Sequence, residues 1–230
     1  MHGFIPAGFL KSKDVHCIDL NYRIIFIVTF LSLLPMACDT GYSRKNGDWV
    51  WLTHDEHHGK RAHWIEDIDQ QSFKVLKNKN FAADKNHVYY KGKKIKQASP
   101  IGFTCLTDTE YGYAVDRHHA FFNTEVIVSA DPASFEIIQF PYSRDKNDVY
   151  CGTVPLRLTA SEATDFKVTN EDKLMAGTIS ASPLVHFLEY NPGFSWISQL
   201  NPEIEQVIIG EWGTGESGNK KFKGIYQVLK

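Results

Sequence analysis

A phrase of about 31 residues returns four times between Asp69 and Asp172, and it narrows the architecture more than any other feature of the chain. Its beat is a Phe followed by alternating apolar residues, at Phe73-Lys74-Val75, Phe103-Thr104-Cys105, Phe135-Glu136-Ile137 and Phe166-Lys167-Val168. Successive Phe positions lie 30, 32 and 31 residues apart. A period of this size marks a chain of stacked units, none of which can bury its apolar face alone.

A second beat follows the first three Phe positions: Asp84-Lys85-Asn86-His87-Val88-Tyr89-Tyr90, Asp116-Arg117-His118-His119-Ala120-Phe121-Phe122 and Asp145-Lys146-Asn147-Asp148-Val149-Tyr150-Cys151. Asp and Asn fold their side chains onto nearby backbone and tolerate left-handed geometry, whereas Val-Tyr-Tyr favours a half-buried extended chain, so the phrase reads as a turn feeding a strand. Lys91-Gly92 then makes a tight return in which Gly supplies positive φ. Ahead of the Phe, Asp69-Gln70-Gln71-Ser72 and Asp131-Pro132-Ala133-Ser134 carry the signals of a single helical turn, with weaker echoes at Ser99-Pro100 and residues 162–166. The fourth unit keeps its Phe but only a shortened remnant of the turn, Asn170-Glu171-Asp172-Lys173, as suits a terminal repeat. The expected fold is mainly β: tandem β-hairpin repeats joined by short helical turns, with a small C-terminal α+β or β segment.

At this point the residues carry a resemblance. The stretch FAADKNHVYYKGKKI, with Asp84, Lys85, Asn86, Tyr89 and Tyr90, resembles the signature of the bacterial DKNYY family. The third copy keeps Asp145, Lys146, Asn147 and Tyr150 but ends in Cys151, and the second retains Asp116 with Phe121 and Phe122 in place of the tyrosines. The resemblance spans roughly residues 67–157 and implies a repeated β-rich module of bacterial envelope or surface proteins. It brings no catalytic residues with it.

The beginning of the chain points to a destination. Lys11, Lys13 and Arg23 precede the apolar run IIFIVTFLSLLPMA at residues 24–37, and Cys38 follows. This is the basic, apolar, small-residue order of a secretory signal, and the run is shorter than the roughly 20 residues that span a bilayer. Ala37 directly before Cys38 resembles the lipobox of bacterial lipoproteins, in which the Cys is acylated and becomes the first mature residue; Pro35 stands where Leu is usual. Plain secretion, an uncleaved signal anchor and a buried helix are the alternatives. With a lipidated Cys38, Asp39 resembles the inner-membrane retention signal of enteric-type bacteria; otherwise it is the first solvated residue of a tether.

Removing residues 1–37 lowers the basic count from 25 to 22 and the acidic count from 27 to 25, for a net charge of about −3. That balance gives no field for gripping nucleic acid. Of the four cysteines, Cys17 lies in the removed segment and Cys38 is the lipidation candidate. Cys105 and Cys151, in adjacent units, are either a disulfide pair in an oxidising compartment or two small buried apolar residues.

Three constellations offer chemistry. His54, His57, His58 and His63 are ligand types for zinc or copper, with His118 and His119 as conceivable partners, but their order is not His-Glu-x-x-His and Gly59-Lys60-Arg61 reads as a solvated loop. Gly213-Thr214-Gly215-Glu216-Ser217-Gly218 fits G-x-G-x-x-G, yet only 12 residues follow Gly218, too few for a dinucleotide fold. It reads instead as a wide hairpin turn between strands at residues 207–212 and 222–229. No Ser-His or Cys-His spacing of a nucleophilic site is recognisable.

The organisation expected is an export segment at 1–37, a polar tether at 38–48, the array at 49–170 opened by a poorly matching cap, and a C-terminal capping segment at 171–230. Ser182-Pro183 starts a short helix there that runs to Tyr190. The expected function is that of a non-enzymatic, cofactor-free envelope lipoprotein held to the membrane by its lipid, facing the periplasm or the cell exterior. It would act as a protein-binding or scaffold module for another envelope protein, an inhibitor of an incoming toxin being one form of this. The alternative is a metal-binding envelope protein or hydrolase that uses the residues between His54 and His63.

Overall fold

The computed structural model describes residues 40–108 and 111–228. The export segment, Cys17, Cys38 and Asp39 lie outside the described residues. The first sheet is an antiparallel meander of β1 (Gly41–Lys45), β2 (Asp48–Asp55) and β3 (Gly59–Trp64). Residues 41–48 are therefore strand and turn, not tether. The reason is Tyr42, which pairs with Trp51 in register and packs edge-on against it at 4.8 Å between ring centroids, and against Phe73 at 5.6 Å. A segment with an aromatic ring to bury is ordered by it.

Three four-stranded antiparallel meanders follow, one per sequence repeat. They are β4 (Lys74–Val75), β5 (Phe81–Ala83), β6 (Val88–Tyr90) and β7 (Lys93–Lys94); β8 (Thr104–Cys105), β9 (Tyr113–Val115), β10 (Ala120–Phe122) and β11 (Glu125–Val126); and β12 (Glu136–Gln139), β13 (Tyr142–Arg144), β14 (Val149–Cys151) and β15 (Val154–Pro155). Helix α1 (Ala160–Asp165), opened by a capping box between Thr159 and Glu162, leads into Phe166 and β16 (Lys167–Val168).

The expected half-burial of the Val-Tyr-Tyr strands does not hold. Every residue of β6, β10 and β14 is buried, because each sheet is covered on both faces by its neighbours in the stack. The middle residue of such a strand faces the preceding sheet and its two flanking residues face the next. Tyr89 thus packs with Phe73, Ala82 and Ile65, whereas Val88 and Tyr90 pack with Ala114 and Phe121 of the following unit. Ala120 and Phe122 meet Tyr150, and Val149 and Cys151 share a core with Phe222. The period-2 alternation of a strand here distributes side chains between two cores rather than between core and water.

The fourth unit is not truncated. β16 pairs with β19 (Thr214–Ser217), which continues into β20 (Lys220–Lys223) and β21 (Tyr226–Val228), giving the same four-stranded meander with the chain interrupted after its first strand. The register proves the equivalence. A small residue lies opposite the middle aromatic in every unit: Ala82 and Tyr89, Ala114 and Phe121, Ser143 and Tyr150, Gly215 and Phe222. The return that follows begins each time with a positive φ, at Lys91, Asn123, Gly152 and Gly224. The G-x-G-x-x-G stretch is accordingly a strand rather than a wide turn. Gly215 is needed for space, since a Cβ there would lie 2.3 Å from the Phe166 ring.

The interrupting segment holds β17 (Ser180–Pro183), α2 (Leu184–Tyr190), a 3₁₀ turn (Pro192–Phe194), α3 (Trp196–Leu200) and β18 (Gln206–Ile209). The helix from residue 184 to Tyr190 is as expected, but β18 pairs with β17 and not with the C-terminal strands. The segment docks on the third unit, where the Thr153 N–H donates to the Ile208 carbonyl at 2.8 Å and the Ile208 N–H donates to Thr153 Oγ1 at 2.9 Å. At the far end of the stack, the residues flanking Phe222 are Lys221 and Lys223, both exposed, where earlier units carry apolar or aromatic residues. The outermost sheet thus presents charge where the others present a core.

Candidate functional site

The repeated Asp of each motif is buried, and its carboxylate organises a corner. Asp84 Oδ1 accepts the N–H groups of Asn86 and His87 at 2.7 and 2.6 Å, closing the turn into β6. Its Oδ2 accepts the Asp69 N–H at 2.8 Å and the Tyr89 hydroxyl at 2.9 Å, tying the turn to the helical turn before Phe73 and to the strand after it. Asp145 repeats the pattern with Asn147, Asp148, Asp131 and Tyr150. Asp116 accepts from His118, His119 and Ser99, but Phe121 has no hydroxyl to give it.

The motif Lys completes the corner. Lys85 Nζ lies 2.8 Å from Asp69, and Lys146 Nζ lies 3.0 Å from Asp131. Ser72 and Ser134 each donate to those same aspartates and accept the backbone N–H of the motif Lys. Hydrogen bonds from Lys85 and Ser72 bring the Asp69 carboxyl down to about 2. Burial pushes the Asp84 carboxyl up, but the N–H donors of Asp69, Asn86 and His87 outweigh it and the net direction is down. Asp and Lys of the signature therefore hold one unit together, and the aromatic pair joins it to its neighbours.

The histidine cluster is not assembled. On the β2–β3 hairpin, His54 pairs with Lys60 and His63 with Trp51, so strand alternation puts His54 and His63 on opposite faces. The N–H groups of His57 and His58 donate to Asp55 Oδ1 in a tight turn, and His58 Nδ1 lies 2.9 Å from Asp55 Oδ2. Among the described residues no group of three or more His, Cys, Asp or Glu side chains is arranged to hold a metal ion, His118 and His119 included. Cys105 and Cys151 are free thiols in separate cores. Burial pushes them up to about 11 and about 12 respectively, which keeps both thiols protonated at neutral pH.

One open groove stands beside the first corner, and sequence reasoning did not find it. It is a cleft of about 600 Å³ between β3 and the turn after β6, lined by Trp51, Thr53, His63, Trp64, Glu66, Asp67 and residues 91–94. Trp51 forms its floor because Gly92 lets the turn approach; a Cβ on Gly92 would sit 2.5 Å from Trp51 Cβ. Trp64 also lines it, 55% exposed, with Lys45 Nζ 5.5 Å from its ring centroid. A second cleft of about 560 Å³ shares Trp51, Thr53 and Lys91 with the first and runs on past Lys77, Lys79 and Asp108.

Residues 51–111 and 101–154 match the sequence profile of the DKNYY family. No curated protein and no solved structure matches the chain.

Proposed function

Given that this chain belongs to the DKNYY family through residues 51–154, we propose that it is a non-enzymatic envelope lipoprotein, anchored through Cys38, whose array is a rigid scaffold for binding another envelope protein. The observation that carries this reading is the occupation of the motif. The aspartates of all three corners, and the lysines of the first and third, are spent on backbone hydrogen bonds and ion pairs within their own unit. A chain built in this way devotes its repeated residues to shape and leaves contact to the surface, as stacked-repeat proteins do.

Anchorage is supported by the basic, apolar and small residues that end at Ala37-Cys38, and Asp39 favours retention at the inner membrane where the host is enteric-type. Metabolic labelling with a fatty acid tests the anchor: the native chain takes up label, Cys38→Ser does not, and an unlabelled native chain ends the lipoprotein reading. Cross-linking in intact envelopes tests the scaffold. A discrete adduct that persists in Cys38→Ser spheroplasts supports protein binding, and recovery of the monomer alone counts against it.

A further inference from the structure

We infer that the outward face of the first sheet lies on the membrane surface, a second contact with the bilayer beside the acyl anchor. This rests on the lipoprotein reading and adds an orientation to it. An acyl chain keeps a protein at the membrane, whereas a sheet face laid on the headgroups also fixes which way the protein stands.

Strand register sorts the first sheet into two faces. Tyr42, Trp49 and Trp51 share one, and it packs on the first repeat, where the Trp49 and Tyr42 rings lie 4.8 and 5.6 Å from that of Phe73. The other carries Val50 beside Trp64 and Leu52 beside Ala62. Lys45 belongs to this second face, two residues on from Ser43, the partner of Val50, and its Nζ lies 5.5 Å from the Trp64 ring centroid. Val50 is buried, Leu52 and Ala62 are half-buried and Trp64 is 55% exposed, so the indole is the apolar surface on offer. The two ends of the stack are thus finished differently, since the last sheet turns Lys221 and Lys223 outward.

Chain length names the occupant. Only Asp39 and Thr40 stand between Cys38 and Gly41, the first residue of β1. Three residue steps reach about 10 Å at full extension, so an acylated Cys38 holds β1 close to the headgroups. The first repeat already occupies one face of the sheet, which leaves the Trp64 face to meet the bilayer. Its chemistry suits that position. An indole settles at the level of the headgroups, and a Lys lays its apolar stem along it while the amine reaches water and phosphate. Asp48, the only acidic residue in register with this face, stands opposite Lys45.

The test reconstitutes the full acylated chain into vesicles of phosphatidylethanolamine and phosphatidylglycerol, part of the lipid carrying bromine on its acyl chains, and reads tryptophan fluorescence. The result expected is quenching of the native chain, most of which Trp64→Phe removes. That side chain is exposed, so the variant should keep the native melting profile, which is measured alongside. A second readout is labelling with a membrane-impermeant maleimide: Lys45→Cys should resist it in vesicles and react once detergent is added, whereas Arg61→Cys, exposed on the opposite face, should react in both. The inference is overturned if native chain and Trp64→Phe are quenched alike or if the two cysteine variants react alike. It is overturned too if the solubilised chain is a dimer that Trp64→Phe dissociates, which would make this face an interface between copies. An unlabelled native chain in the fatty-acid experiment would end the lipoprotein reading and this inference with it, whereas a labelled chain without quenching through Trp64 ends this inference alone.

Discussion

Tyr89 and Phe121 occupy the same place in successive units and differ by one hydroxyl. In the first unit that hydroxyl donates to Asp84 and lies 3.5 Å from His87 Nδ1. In the second, Asp116 lacks the donor, and the buried His119 Nδ1 has no hydrogen-bond partner, at 3.9 Å from Asp116 Oδ1. Phe121→Tyr should restore both contacts and raise stability by about 1 kcal/mol, whereas Tyr89→Phe should lower it by about 1–2 kcal/mol; urea denaturation of the two variants checks the opposite signs. The corners also set an acid limit. Asp69 and Asp84 titrate below the unfolded carboxylate value of 3.8, so the folded state holds fewer protons than the unfolded one in that range. Their contribution is complete above about pH 4 and is lost as the pH falls towards 2. Denaturant midpoints measured between pH 5 and pH 2.5 should fall steeply in the native chain and less steeply in Asp84→Asn, which has no carboxylate to titrate. Asp148 works against this trend, because burial pushes its carboxyl up despite the N–H groups of Leu158, Val149 and Arg157.

At the scale of the element, the third strand of each unit depends on the small residue opposite its aromatic. Gly215→Ala should destabilise by about 1–3 kcal/mol, because the added methyl overlaps the Phe166 ring in a packed core; a thermal melt and proteolysis of the last sheet would register it. A native-like melt would show that this sheet is not packed as the first three are. The first three units were legible in the sequence because each keeps its Phe, its Asp turn and its aromatic pair within one stretch of chain. The fourth was not, because residues 169–213 separate its first strand from its second and Gly218-Asn219 replaces the Asp corner. A signal was present nonetheless: Phe222 stands two residues before Gly224 as Tyr150 stands two before Gly152. The groove was less legible still, since it joins residues 51–67 to residues 91–94 across a sheet boundary that no local pattern records. The histidine cluster misled because proximity in sequence says nothing about the face of a strand, and β2 and β3 turn His54 and His63 apart.

For the whole molecule, Lys221 and Lys223 decide where stacking ends. They occupy the places that Val88 and Tyr90 fill in the first unit, where the side chains enter the core shared with the next sheet. Replacing both by the first unit's residues, Lys221→Val with Lys223→Tyr, should leave an apolar sheet face in water and produce self-association, seen as an increased mass in light scattering. A monomer would mean that other groups, such as Trp212 beneath Lys223 at 4.1 Å, already prevent further stacking. The interruption of the last unit has a separate consequence. Val168 and Gly215 are cross-strand neighbours, so the long excursion between them departs from one sheet and returns to it at the same place. A protease that nicks the excursion would sever the chain without parting it, and the tail would leave only when the sheet itself unravels.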